Sequence, residues 1–117
     1  MAKTNGLNKV RKFLVTGATG FVGGALVTEL LRCEINLVAT VRQRNSSLPE
    51  NIKQEVVGDL SEYTDWARVL SDIDVVIHSA ARVHIMDGRQ IDPIFEYRKV
   101  NVEGTLNIAK KAVQAGV

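Results

Sequence analysis

An α/β fold built on a doubly wound parallel sheet is predicted by three features of this sequence. Four short runs, Phe13–Thr16, Asn36–Val41, Gln54–Val57 and Asp74–His78, read as strands, and all but the third are apolar enough to be buried. Apolar residues at helical spacing follow the first, third and fourth of them. A glycine cluster, Gly17, Gly20, Gly23 and Gly24, joins the first strand to the first helix. Strands alternating with helices imply right-handed crossovers and a parallel sheet, expected in the order 3-2-1-4 with its crevice between strands 1 and 4.

The elements follow in chain order. Residues 1–10 are polar and turn-like and are expected to form a flexible tail; residues 11–117 form the single domain. After the glycines, Val22, Ala25, Leu26, Leu30 and Cys33 recur at helical spacing, so a helix of about three turns is expected with Cys33 on its buried stripe. Arg42 to Asn51, with Ser46-Ser47 and Pro49, reads as a loop, and Gly58-Asp59 stops the third strand. Ser61 is placed to cap a helix whose buried stripe is Trp66, Val69, Leu70 and Ile73. The fourth strand is apolar on both faces, and Ser79 to Gln90 reads as loop. From Pro93 the spacing predicts one long helix with Tyr97, Asn101, Gly104, Ile108 and Ala112 on one face, ended by Gly116. A fifth strand is expected at that point, so the sheet reads as truncated after about four strands.

Composition excludes several classes. The 117 residues are 45% apolar and 24% charged, which suits one globular core. Fifteen basic against 13 acidic side chains give a net charge of +2, too even for a nucleic-acid binder, and no nucleic-acid partner is expected. One cysteine and two histidines, His78 and His84, support neither a disulfide framework nor a structural zinc site. No apolar run reaches the roughly 18 residues of a membrane span, and Met1–Gly6 leads into no signal-peptide core. A small soluble domain, cytoplasmic and without a membrane partner, is the expectation.

The residues with most chemical content are Gly17-Ala-Thr-Gly20-Phe-Val-Gly23. Gly17 can turn the chain tightly off the strand, Gly20 can let backbone approach a pyrophosphate, and Gly23 can let helix and sheet pack closely. The helix N-terminus offers free N–H groups and a positive dipole end. The pattern therefore points to dinucleotide binding on a Rossmann-type fold. An acid at the end of strand 2 would mark an NAD site, but Thr40-Val41-Arg42-Gln43-Arg44 has none before Glu50. Arg42 and Arg44 can instead grip a 2′-phosphate, or be merely exposed loop arginines. The expected cofactor is NAD(P), with NADP ahead of NAD.

The Thr-Gly-x-x-Gly-x-x-Gly spacing resembles the extended branch of the short-chain dehydrogenase/reductase superfamily, the NAD(P)-dependent nucleotide-sugar epimerases and dehydratases. Gly58-Asp59-Leu60, His78-Ser79-Ala80-Ala81, Asn101 and Val102-Glu103-Gly104-Thr105-Leu106-Asn107 match it in the same order. The resemblance covers the chain from about Lys12 onward. It implies cofactor contacts at Gly17, Thr19, Gly20, Phe21, Val22, Gly23, Arg42, Asp59, Leu60, Ser79, Ala80, Ala81, Val83 and Asn101. Within these, Asp59 would hold the adenine amino group, with a helix-entry Asx turn as its plain alternative. Leu60 would lie beside the adenine, the small Ser79-Ala80-Ala81 would make room for the cofactor, and Asn101 would fix the active-site loop. Gly104 would let the last helix approach the sheet. His78 reads as a packed, hydrogen-bonded histidine, and His84 and Asp87 as loop residues.

The family's catalytic Tyr-x-x-x-Lys is absent. Tyr63 is followed four residues later by Ala67, and Tyr97 by Asn101. No catalytic residue is expected in these 117 residues; the pair and the substrate part are expected beyond Val117. Two functions remain open. One is the cofactor-binding portion of an epimerase or dehydratase acting on a nucleotide sugar, homodimeric at full length. The other is a non-catalytic NAD(P)-binding sensor or partner-binding module.

Overall fold

The computed structural model describes residues 11–82 and 93–117; the expected tail, together with Val83, His84 and Asp87, lies outside the described residues. Strands β1 (Lys12–Thr16), β2 (Asn36–Val41), β3 (Lys53–Val56) and β4 (Val75–His78) form one parallel sheet in the order β3-β2-β1-β4, as expected. The third strand starts and ends one residue earlier than the sequence suggested, although Val57 N–H still donates to Val41 O.

The register pairs Leu14 with Val38 and Val15 with Ala39. Because side chains alternate between faces, this divides the core into two layers. Val15, Leu37, Ala39 and Val41 pack with Val27 of helix α1 (Phe21–Arg32) on one face. Leu14 and Val38 pack with Trp66, Val69, Leu70, Ile73 and Ile108 on the other. The connection from β2 to β3 carries no helix. Leu48 and Ile52, both buried in that loop, fill the first layer in its place.

Several expectations about local structure need correction. The buried side of α1 runs through Gly23 and Val27, with Leu26, Leu30 and Leu31 packed beside them, so Val22 is exposed. Cys33 is exposed as well, because the chain leaves the helix there: Glu34 turns left-handed (φ 59°) and Ile35 N–H closes on Leu30 O. Ser61 caps no helix. Its Oγ accepts from Tyr63 N–H in a local turn, and helix α2 spans only Ala67–Leu70. The four-residue stripe expected there is nevertheless buried. Strand β4 lies at the sheet edge and is half-buried along its length instead of enclosed on both faces.

The long helix after Pro93 is also divided. Helix α3 (Pro93–Arg98) passes through a π turn (Lys99–Gly104) into helix α4 (Thr105–Ala115), which ends at Gly116 with φ 82°. Gly104 approaches the Leu60–Ser61 backbone and not the sheet, with about 3.5 Å of room for a Cβ. One turn on, buried Asn107 donates from Nδ2 to Ser61 O (3.0 Å) and Thr64 O (2.9 Å), tying α4 to the chain entering α2. Asn107→Ala is expected to destabilise the fold by about 1–3 kcal/mol in denaturant unfolding. Asn107→Asp should be worse near neutral pH, since it turns a carboxylate on two carbonyls.

Candidate functional site

The carboxyl ends of the four strands open into a cleft of about 650 Å³ at the place where strand order reverses around β1. Its floor is the β1–α1 loop. Gly17 adopts φ +71°, and a Cβ there would lie 2.7 Å from Ala80 N and 2.8 Å from Ser79 C. Gly23 is tighter still, since its Cβ would fall 1.8 Å from Gly17 O. Both glycines are therefore demanded by contacts within the protein.

Gly20 differs from both. Its backbone (φ −81°, ψ 178°) suits any residue, and its absent Cβ would meet only Gly17 O, at 3.3 Å. It lines the cleft and sits at the N-cap of α1, with no side-chain cap and no acidic residue in the first turn. The helix thus presents its unpaired N-terminal N–H groups and positive dipole end beside an open strip of backbone. Such a surface fits an anion that must come close.

Thr19, Arg42, Asp59, Leu60, Ser79, Ala80 and Ala81 also line the cleft. Phe21 and Val22 stand outside it, their side chains 97% and 68% exposed at the start of α1. The Arg42 guanidinium lies 3.8 Å from the Asp59 carboxylate, both side chains well exposed, so the pair adds little to stability. It brings together two residues singled out separately in the sequence. Ser79 Oγ donates to Thr16 O (2.6 Å), which ties its hydroxyl to the end of β1.

Asn101 does not line the cleft but acts on a residue that does. Its Nδ2 donates to Arg82 O (3.0 Å), and its Oδ1 accepts from Arg82 N–H (2.8 Å). Arg82, Glu96 and Lys99 are cleft residues that sequence reasoning missed. Only the adjacency of Arg82 to the small-residue triplet could have suggested any of them. With Arg42 and Arg44 they make the cleft more basic than acidic. Among the described residues there is no metal-binding cluster, and no helix is long and apolar enough to cross a membrane.

With this geometry established, comparison with known proteins places the chain. It belongs to the NAD dependent epimerase/dehydratase family, whose sequence profile matches residues 13–117. It is 38% identical over 107 residues to the UDP-glucose 4-epimerase of Vibrio cholerae, covering 92% of this chain and 32% of that one. It is 39% identical over 109 residues to a 3-beta-hydroxysteroid dehydrogenase of Mycolicibacterium neoaurum, covering 91% and 30%. Among solved structures it resembles MoeE5 in complex with UDP-glucose and NAD, with a TM-score of 0.72 and 34% identity over 91% of this chain and 33% of that one. The chain thus spans about a third of the length of these relatives.

Proposed function

We propose, from this family membership and the cleft, that the chain is the NAD(P)-binding portion of an epimerase- or dehydratase-like oxidoreductase acting on a nucleotide sugar. Gly20 carries the reading: it is a glycine that the fold does not require, placed where a pyrophosphate would meet the free end of α1. The phosphates would lie against Thr19, Gly20 and the backbone N–H groups of Phe21 and Val22, over the turn made by Gly17 and Gly23. The adenine would sit between Leu60 and the Asp59 carboxylate. The nicotinamide half would run along Ser79, Ala80 and Ala81, beside Arg82, whose backbone Asn101 holds, and the family resemblance adds Val83 to its contacts. When bound, the nicotinamide supplies a reversible hydride acceptor for a sugar carbon. The residues of this chain bind and orient it and leave proton transfer to groups outside the present sequence. Exposed Val102, Leu106 and Val113 share one side of the π turn and α4, which supports a homodimer for the whole protein.

Cofactor choice rests on Arg42. It lines the cleft at the end of β2, where an NAD site would carry an acid, and its guanidinium can fork onto a 2′-phosphate. Arg42→Ala is expected to weaken NADP binding by about tenfold or more in calorimetry while changing NAD little. Equal losses for both dinucleotides would make Arg42 a partner of Asp59 alone and remove the preference for NADP.

A further inference from the structure

His78 closes β4 with hydrogen bonds on both ring nitrogens, and its partners favour one place for its proton. Ala80 N–H donates to Thr16 Oγ1 (3.1 Å), so the Thr16 proton is available to His78 Nδ1, 2.7 Å away. On the other side Thr105 Oγ1 spends its one proton on Asn101 O (2.8 Å), a carbonyl that can only accept. With that proton on Asn101 O, His78 Nε2, 3.1 Å from Thr105 Oγ1, is the donor. The neutral ring protonated on Nε2 is the assignment that satisfies every donor and acceptor along this row.

These bonds run from Ala80 through Thr16, His78 and Thr105 to Asn101, whose side chain grips the Arg82 backbone from both sides. The path begins and ends on the same three-residue wall of the cleft, Ala80 to Arg82. We infer that neutral His78 is the positioning residue that holds this wall between β1 and α4, and that protonation of its ring releases the wall and weakens dinucleotide binding. A proton on Nδ1 would take the second lone pair of Thr16 Oγ1, a buried hydroxyl already accepting from Ala80, and would deprive the Thr16 proton of its acceptor. The inference rests on the dinucleotide reading only for the ligand.

The surroundings favour the neutral ring. Its pKa is lowered from the ordinary 6.5, and burial is the cause. The charged groups on the packed elements, Lys12 on β1, Lys99 and Glu103 on the π turn, and Lys110 and Lys111 on α4, contribute nothing to that shift. With a folded pKa below the unfolded one, the wall is intact above pH 6.5 and is lost as pH falls through the pKa of the folded ring.

The test uses NAD, because a 2′-phosphate would itself titrate near about pH 6. In a His84→Gln background His78 is the one histidine left. Nitrogen-15 NMR should find the proton on Nε2 at pH 7.5. On acidification, imidazole protonation, faster hydrogen exchange at the Ala80 and Arg82 amides and weaker NAD binding should share one midpoint. The apparent Kd should rise by about tenfold per pH unit below it. His78→Asn, which keeps an acceptor toward Thr16 and does not titrate, should flatten the pH dependence. A proton on Nδ1, or exchange and affinity indifferent to the protonation of His78, overturns the inference even if His78→Asn fails to fold. Should neither NAD nor NADP bind at pH 8, the dinucleotide reading fails instead, and the tautomer and the two amides still decide the role of His78.

Discussion

Gly23→Ala should unfold or nearly unfold the protein, the largest effect expected of any single methyl group in it. The added Cβ would lie 1.8 Å from Gly17 O, 2.6 Å from Gly17 C and 2.9 Å from Ser79 Oγ. Two of these three are backbone atoms of a turn with φ +71°, which is itself pressed against Ala80. No side chain can swing aside to make room. Helix α1 would have to lift off the sheet, taking Val27 and its packing against Val15 and Leu37 with it. Overpacking of this kind ordinarily costs about 1–3 kcal/mol, and rigid backbone on the opposing side should carry it to the upper end or beyond. Gly24→Ala is the control. Its Cβ meets only Ala18 O, at 3.6 Å, so alanine should be neutral or stabilising by about 0.5–1 kcal/mol. Denaturant unfolding of the two variants side by side separates the predictions; a Gly23→Ala midpoint equal to that of the parent would remove the close-packing role.

How much was legible depended on how far each cause reaches along the chain. The two faces of the sheet and the stripe Trp66, Val69, Leu70 and Ile73 follow from local period, and the strand order from the usual arrangement of dinucleotide-binding sheets to which the glycine spacing pointed. Errors came where an element ended. Cys33 fits the helical period, but the chain has turned out of α1 by that residue. Ser61 has cap chemistry but serves a turn, because α2 begins only at Ala67. The π turn at Lys99–Gly104 left no trace in the apolar spacing, since the face from Tyr97 to Ala112 runs straight through it. In the site, spacing found the glycines but could not separate their causes. Gly17 answers to Ser79 and Ala80, some sixty residues away, Gly23 answers first to the Gly17 backbone, and Gly20 meets only Gly17 O, at 3.3 Å. The His78 path was illegible for the same reason: Thr16 and Thr105 are unremarkable hydroxyls until the sheet and the last helix bring them to one ring.

That difference between the glycines leads to the second large effect. Gly20→Val should leave the fold standing and remove dinucleotide binding. Valine can adopt the extended backbone of residue 20, and its Cβ would need only a few tenths of an ångström from Gly17 O. Its stability cost is confined to a poorer N-cap, about 1 kcal/mol or less against glycine. The two methyl groups would stand in the open cleft over the first turn of α1, on the approach an anion must take to the free N–H groups. Keeping a pyrophosphate off those groups forfeits several charge-assisted hydrogen bonds at once, so affinity should fall by about a hundredfold or more for both NAD and NADP. The loss should be equal for the two, unlike that of Arg42→Ala, because the pyrophosphate is common to them and the 2′-phosphate is not. Calorimetry measures the affinities, and the thermal shift each dinucleotide gives to the parent should vanish in the variant while its unliganded melting temperature stays close to the parent value. A folded Gly20→Val protein that binds both dinucleotides as the parent does would put the phosphates elsewhere, and the assignment of the cleft would go with them.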